Sequence, residues 1–533
     1  MSVTRRISLC FGVVFLGLAV TGSCGHTSSA DEQQANKATA RLKVLSESPA
    51  MPDVGEIRRL IDDGANVNVT NSFGFTPLLV ASQNGHFEVV KFLLASKADV
   101  NSSHTDGRTP LMMASQDGHI EVVKLLISSK ADINAAGTQG HTSLLVASRY
   151  GHAEVIRLLL ASKADVNATL INGITSLYMA AQNGHAEVAR LLLASKADVN
   201  ACKNNGVTSL MMASQNGNPE VVKLLLSNKA DVNAARTDGI TSLHAASENG
   251  HVEAVKLLLA SKADVNATRM DGCTSLVLAS QNGHVEVVRL LLLSKAIINA
   301  RADGVTSLFV ASENGHIEVV KELLSSNANV NAADKTDGVT PLWQASQNGY
   351  TDVVRLLLAS KANIDAAHSD GRTPLWQASQ QGHVEVVNLL LASKAGTNVA
   401  RTDGVTPLFI ASQDGHAEVV KLLLANKADV NAARKTDSVT PLLAASQNGH
   451  AEVVKLLLSS KANVNAAHKD GRTPLLMASQ EGHVEVVKLL LSSKADVNVK
   501  IRVAGKDYTA MRVAKMRGHT RVVEILKEHG AKE

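Results

Sequence analysis

Apolar and polar positions alternate along this chain in one rhythm, shown best by residues 106–134, DGRTPLMMASQDGHIEVVKLLISSKADIN. Asp106-Gly107 is a tight-turn dipeptide, because glycine reaches positive φ without a Cβ clash. Thr109 is placed to cap a helix with its hydroxyl, and Pro110 suits the first helical position, where its missing N–H costs nothing. The spacing predicts a short helix over Pro110–Asp117, closed by Gly118, and a second helix from about His119. Glu121 falls in the first turn of that second helix, where the helix dipole favours a negative charge. Val122, Val123, Leu125, Leu126 and Ile127 form a stripe too wide for one buried face. Such a helix needs apolar neighbours on both sides, and a copy of itself before and after would supply them.

The copies are there. A Thr followed by Pro or Ser and then Leu recurs at Thr76, Thr109, Thr142, Thr175, Thr208, Thr241, Thr274, Thr306, Thr340, Thr373, Thr406, Thr440 and Thr473. The steps are 33 residues, apart from one of 32 and two of 34. A fixed period of this size marks a solenoid. Ser follows Thr in one uninterrupted block from Ser143 to Ser307, and Pro does so on either side of it. Residues 329–396 also align with 429–496, each copy carrying the extra residue of Lys335-Thr336-Asp337 or Lys435-Thr436-Asp437. The array has therefore grown by copying three-repeat blocks, and sameness between repeats says little about function.

A unit with Thr-Pro-Leu opening helix one, Gly-His between the helices and Ala-Asp-Val-Asn after helix two resembles the ankyrin repeat. The resemblance implies an all-α fold, an ankyrin-type helix-turn-helix solenoid with β-hairpin loops. It also implies binding of protein partners by the hairpin tips and the face of helix one. Two departures stand out. Only His244 keeps the family's His after Thr-Pro-Leu; Trp343, Trp376, Tyr178, Phe309, Phe409 and a series of Leu, Met and Val residues fill that slot elsewhere. Gly precedes the Asn-rich loop only at Gly64 and Gly530, while Lys97, Lys130, Lys163 and their equivalents stand there in between. A left-handed lysine would cost on the order of 1 kcal/mol at each place.

The domain layout follows from the pattern. Arg5 and Arg6 precede a run of apolar residues over 7–20, and Thr21 and Ser23 are small, so 1–23 reads as a cleaved export signal. Thr21-Gly22-Ser23-Cys24 is similar to a bacterial lipoprotein processing box, although Thr21 stands where that box has an aliphatic residue. Two outcomes stay open there: lipidation of Cys24, with a membrane tether, or plain secretion. Residues 24–37 are small and polar and read as a tether. Residues 38–69 form an N-terminal capping repeat, 70–499 thirteen regular repeats, and 500–533 a degenerate, basic C-terminal cap.

Charge and composition narrow the function. The net charge of +4 is a small surplus of 53 basic over 49 acidic residues, and aromatic residues are only 3 %, so neither a basic tract nor stacking platforms point to nucleic acid. A histidine recurs at His86, His119, His152, His185, His251, His284, His316, His383, His416, His450, His483 and His519. Stacked helices lie roughly 8–10 Å apart, too far for neighbouring imidazoles to share a metal at bonds of about 2 Å. These histidines read instead as polar residues opening helix two. Cys202 and Cys273 lie two repeats apart and are expected to be free thiols. No phosphate-binding glycine loop, nucleophile elbow or singled-out acid pair is present, so we expect no catalysis, no cofactor and no small-molecule substrate.

Recognition remains. A specific contact needs a few distinct anchors, with Trp, Tyr and Arg favoured. Trp343 and Trp376 are the only tryptophans and sit on neighbouring repeats, with Phe409 in the next and Arg372 at the adjoining turn. These four are the candidate protein-binding residues. The expectation is an exported scaffold that presents a preformed surface to a protein partner. A cell-envelope spacer and a secreted effector acting on host proteins are the alternative readings.

Overall fold

The computed structural model describes residues 30–48, 53–300, 304–503 and 506–532. The expected export signal, Cys24 and the first part of the expected polar tether lie outside the described residues. Helix pairs follow one another at the expected period, and first helices pack on neighbouring first helices, as Pro77–Gln83 on Pro110–Gln116 and Pro441–Asn448 on Pro474–Glu481, while second helices pack on second helices, as Phe87–Ala95 on Ile120–Ser128. The chain divides into two compact units. One comprises the residues up to Ala147 plus Arg157–Ala164; the other comprises Ser148–Ile156 plus Asp165–Glu533.

In the first unit, helix Ala30–Leu45 packs on helix Val54–Asp62. The polar segment assigned to the tether is thus helical from Ala30 onward. One reason is local, Asp31 and Glu32 sitting in the first turn, and one is not: Gln34 donates to Asp63 Oδ1 at 2.7 Å. Leu42 and Ile57 are fully buried between the two helices. Asn71 then ties this cap to the first regular repeat, its Nδ2 donating to the Ser46 carbonyl at 2.8 Å.

The repeat of 106–134 shows how sequence becomes structure. Thr109 Oγ1 accepts from the Met112 amide, and the helix runs Pro110–Gln116. Gly118 is left-handed at φ 76°, and the second helix runs Ile120–Ser128 with Val122, Val123 and Leu126 buried. The lysine slot is left-handed throughout: Lys97, Lys130, Lys163 and the others that follow lie at φ between 62° and 68°.

Within each unit, three sets of polar contacts recur between neighbouring repeats. The His119 ring nitrogen Nε2 lies 2.9 Å from the Gln83 carbonyl, at the end of the preceding first helix. Helix ends leave such carbonyls without partners, and the imidazole supplies one. Since a carbonyl only accepts, Nε2 carries the proton. The ring lies so close to Gly85 that a Cβ there would stand 2.5 Å from it, which with φ 72° leaves room for glycine alone. The contact recurs in the second unit at His251, His383 and His483, for example. Asn218 replaces it with Nδ2 on the Ala181 carbonyl at 2.9 Å.

The second set is an asparagine ladder, in which Asn101 Oδ1 accepts from the Asp132 amide and Asn200 Oδ1 from the Asp231 amide, both at 2.8 Å. The third joins the hairpin tips, as where the Ser369 amide donates to the Asp337 carbonyl at 2.8 Å. In all three sets the later repeat donates and the earlier one accepts. The last repeat departs from the others by forming a short antiparallel pair, Ile501–Val503 with Lys506–Tyr508, before its helices Ala510–Arg517 and Thr520–Glu528.

Candidate functional site

The four candidate recognition residues all lie in the second unit. Thr340 and Thr373 cap the helices Pro341–Asn348 and Pro374–Gln381, which fixes Trp343 and Trp376 on the third helical position of neighbouring repeats. Both indoles point inward. Trp343 is 5 % exposed and donates Nε1–H to the Arg372 carbonyl at 3.0 Å; Trp376 is 1 % exposed and donates to the Val405 carbonyl at 2.9 Å. Phe409 is also buried, in one apolar cluster with Trp376, Val439, Leu443 and Leu476. The rings therefore fill the seam between repeats, where leucine and methionine sit elsewhere, and each indole also satisfies a hairpin carbonyl of the following repeat.

What reaches solvent is the layer above the rings. The Arg372 guanidinium lies 5.7 Å from the centroids of both Trp343 and Trp376. Arg401 covers Trp376 at 5.7 Å and Arg434 covers Phe409 at 5.4 Å. Cations over aromatic faces gain from the ring quadrupole. Each arginine is also held by an aspartate of its own turn: Arg372 Nε to Asp370 at 2.7 Å, Arg401 to Asp403 and Arg434 to Asp437. Burial pushes the Asp370 carboxyl upward, but hydrogen bonds from the Arg372 amide and guanidinium outweigh it and hold the group below the usual carboxylate range. In Asp403 and Asp437 the hydrogen bond from the paired arginine is the largest cause of the same downward displacement. His368 completes the patch, its ring stacked on Trp343 at 5.8 Å and its Nδ1 2.8 Å from Asp370 Oδ1.

The patch is thus a row of part-exposed guanidiniums with fixed orientation, from Arg372 through Arg401 to Arg434. Of these, only Arg372 stands out in the sequence, by its position beside the tryptophans. Arg401 and Arg434 carried a usable signal in Arg-Thr-Asp-Gly and Arg-Lys-Thr-Asp, each an arginine within three residues of an aspartate at a hairpin tip. The pairing recurs at Arg236–Asp238, where the arginine's hydrogen bond brings the carboxyl down to about 2.

Other candidate chemistry resolves into structure. The histidines bridge successive repeats through backbone carbonyls. Among the described residues no group of three or more His, Cys, Asp or Glu is arranged to hold a metal ion, and neither Cys202 nor Cys273 is in a disulfide.

A family model described as ankyrin repeats, in three copies, matches the chain in overlapping tiles over residues 30–104, 50–137, 99–170, 144–236, 210–302, 243–334, 308–403, 342–434 and 408–501. No curated protein matches the chain.

Proposed function

Because this chain belongs to the ankyrin repeat family, whose members are generally non-catalytic binding scaffolds, we propose that it binds a protein partner through the hairpin and first-helix face around Arg372. One observation carries the reading: Arg372, Arg401 and Arg434 stand on successive repeats, part-exposed and already oriented by aspartates and buried rings. A surface ordered before contact loses little conformational entropy on binding. The buried tryptophans then act as supports, and the arginines make the contact.

The test is a cross-linked pull-down of the full chain from its native compartment. One stoichiometric partner is expected, lost in the triple variant Arg372→Ala, Arg401→Ala, Arg434→Ala and kept in Trp343→Leu with Trp376→Leu, which installs the residue other repeats carry. A partner held equally well by the triple variant would sink the assignment of this face. Recovery of no partner, with tight envelope association, would favour the spacer, and recovery of a foreign host's protein the effector.

Export belongs to the same proposal. Arg5, Arg6, the apolar run over 7–20 and the small residues Thr21 and Ser23 support it, with Cys24 as the lipid site in the tethered version. The mass of the mature N-terminal peptide decides between an acylated Cys24 and an unmodified end.

A further inference from the structure

The last repeat holds charge the rest of the chain does not. Residues 500–533 contain nine Lys or Arg and four Asp or Glu, a net +5, whereas the whole chain is +4. The remainder therefore sums to −1. A terminal repeat needs a polar outer face, but capping does not dictate its sign.

Two of the departures sit together at the end of helix Ala510–Arg517. Where Met516 stands, the thirteen preceding repeats carry Gln, Glu or Arg; where Arg517 stands, they carry Asn, Asp, Gln, Glu or Tyr. Those positions already face solvent inside the array, as Gln447 and Asn448 show. Being last in the row gives them no reason to change. Met516 is nonetheless 65 % exposed, an uncovered apolar side chain beside an exposed guanidinium.

Both line a cleft of 360 Å³ between the last two repeats. Its floor is apolar, from Leu476, Ile501, Val513 and Tyr508, the tyrosine ring lying under the Arg512 guanidinium at 5.4 Å. Gln480, Asp470 and Arg472 complete the wall; Asp470 and Arg472 hold one another at 2.6 Å, so their charges offset, and His468 Nδ1 lies 2.7 Å from the same carboxylate. Arg517 then sets the sign of the rim, while Arg512, over the Tyr508 ring, donates to the Asp507 carbonyl at 2.9 Å.

We propose that this cleft binds an acidic protein segment. One large apolar side chain enters between Tyr508, Leu476 and Met516, and flanking carboxylates meet Arg517 and Arg512. The charge complementarity of a +5 repeat favours this occupant, and the proposal rests on the reading of the chain as a protein-binding scaffold, at a second site apart from Arg372.

The test is fluorescence anisotropy on the full-length chain with a labelled peptide of one phenylalanine between two runs of glutamate. Binding is expected to weaken with salt and to be lost when lysines replace the glutamates. The variant Met516→Gln with Arg517→Asn carries the residues of the interior repeats at exposed positions, so it should fold. It is expected to weaken the peptide by about tenfold, while Arg372→Ala leaves it unchanged. Equal affinity of the double variant, or of a peptide with glycine in place of phenylalanine, overturns the proposal. So does equally tight binding to phosphatidylserine vesicles that ignores the double variant. Loss of this binding with an intact partner complex at Arg372 leaves the scaffold reading standing.

Discussion

A buried imidazole remains neutral unless something offsets its charge, and His244 is fully buried. Its Nε2 donates to the Ala267 carbonyl at 3.0 Å, while Nδ1 accepts from the Thr241 amide at 3.2 Å and lies 2.9 Å from the Thr241 hydroxyl. Both nitrogens are thus used by the neutral ring. Burial, the largest cause, holds its pKa below the ordinary 6.5, against the opposing pull of the Ala267 carbonyl. Below pH 6.5 the unfolded chain takes up the proton before the folded one, so stability is full above that value and falls as the pH drops toward the folded pKa. Amide-exchange protection of helix Ser242–Glu248 should therefore weaken between pH 7.5 and 5.5. In His244→Leu, which carries the residue of other repeats, that extra weakening should vanish; if it persists, the imidazole is not its source. At this scale the caps were legible from sequence, since Thr-Pro dictates its own geometry. The inward turn of Trp343 and Trp376 was signalled only by the leucines and methionines of the same slot. The carbonyl partner of each ladder histidine was hidden, because it lies in another repeat.

Helix pairs here end in a residue that their backbone does not favour. Lys262 lies at φ 66°, like its counterparts, whereas Gly64 and Gly530 occupy the same slot at φ 85° and 79°. A left-handed β-carbon costs about 1–2 kcal/mol. Glycine removes that cost but adds unfolded-state entropy worth about 0.4–1 kcal/mol. Lys262→Gly should therefore raise the stability of its repeat by up to about 1.6 kcal/mol, read as slower exchange in helix Val252–Ala260, with Lys262→Ala giving no gain. Slower exchange in the alanine variant as well would show that the lysine side chain, not its backbone, was the burden. The left-handed slot was legible as a question, because the family's glycine was missing. The start of helix Ala30–Leu45 was not, because polar residues such as Gln34 order only once Asp63 of the next helix is in place.

The chain as a whole was the easiest level to read, because a period repeated thirteen times outweighs any single residue. It also predicts how the molecule fails. Within the second unit, repeats touch their neighbours in sequence, so damage should stay local. Val354 is fully buried in helix Thr351–Ala359, and Val354→Asp would place an unpaired charge there. Exchange protection should fall in that repeat and its immediate neighbours, while Ser176–Asn183 and Pro474–Glu481 keep theirs. Uniform loss across all of these helices would mean that the second unit melts as one body.

The direction shared by the three sets of inter-repeat bonds has a consequence for ancestry. Because in these three sets the later repeat donates and the earlier one accepts, a block cut at the same phase arrives with complementary ends. Splicing such a block into the row can restore the bonds of these three sets, whatever its length in whole repeats. The twin stretches at 329–396 and 429–496 are the outcome to be expected of a molecule that can lengthen without relearning how to fold.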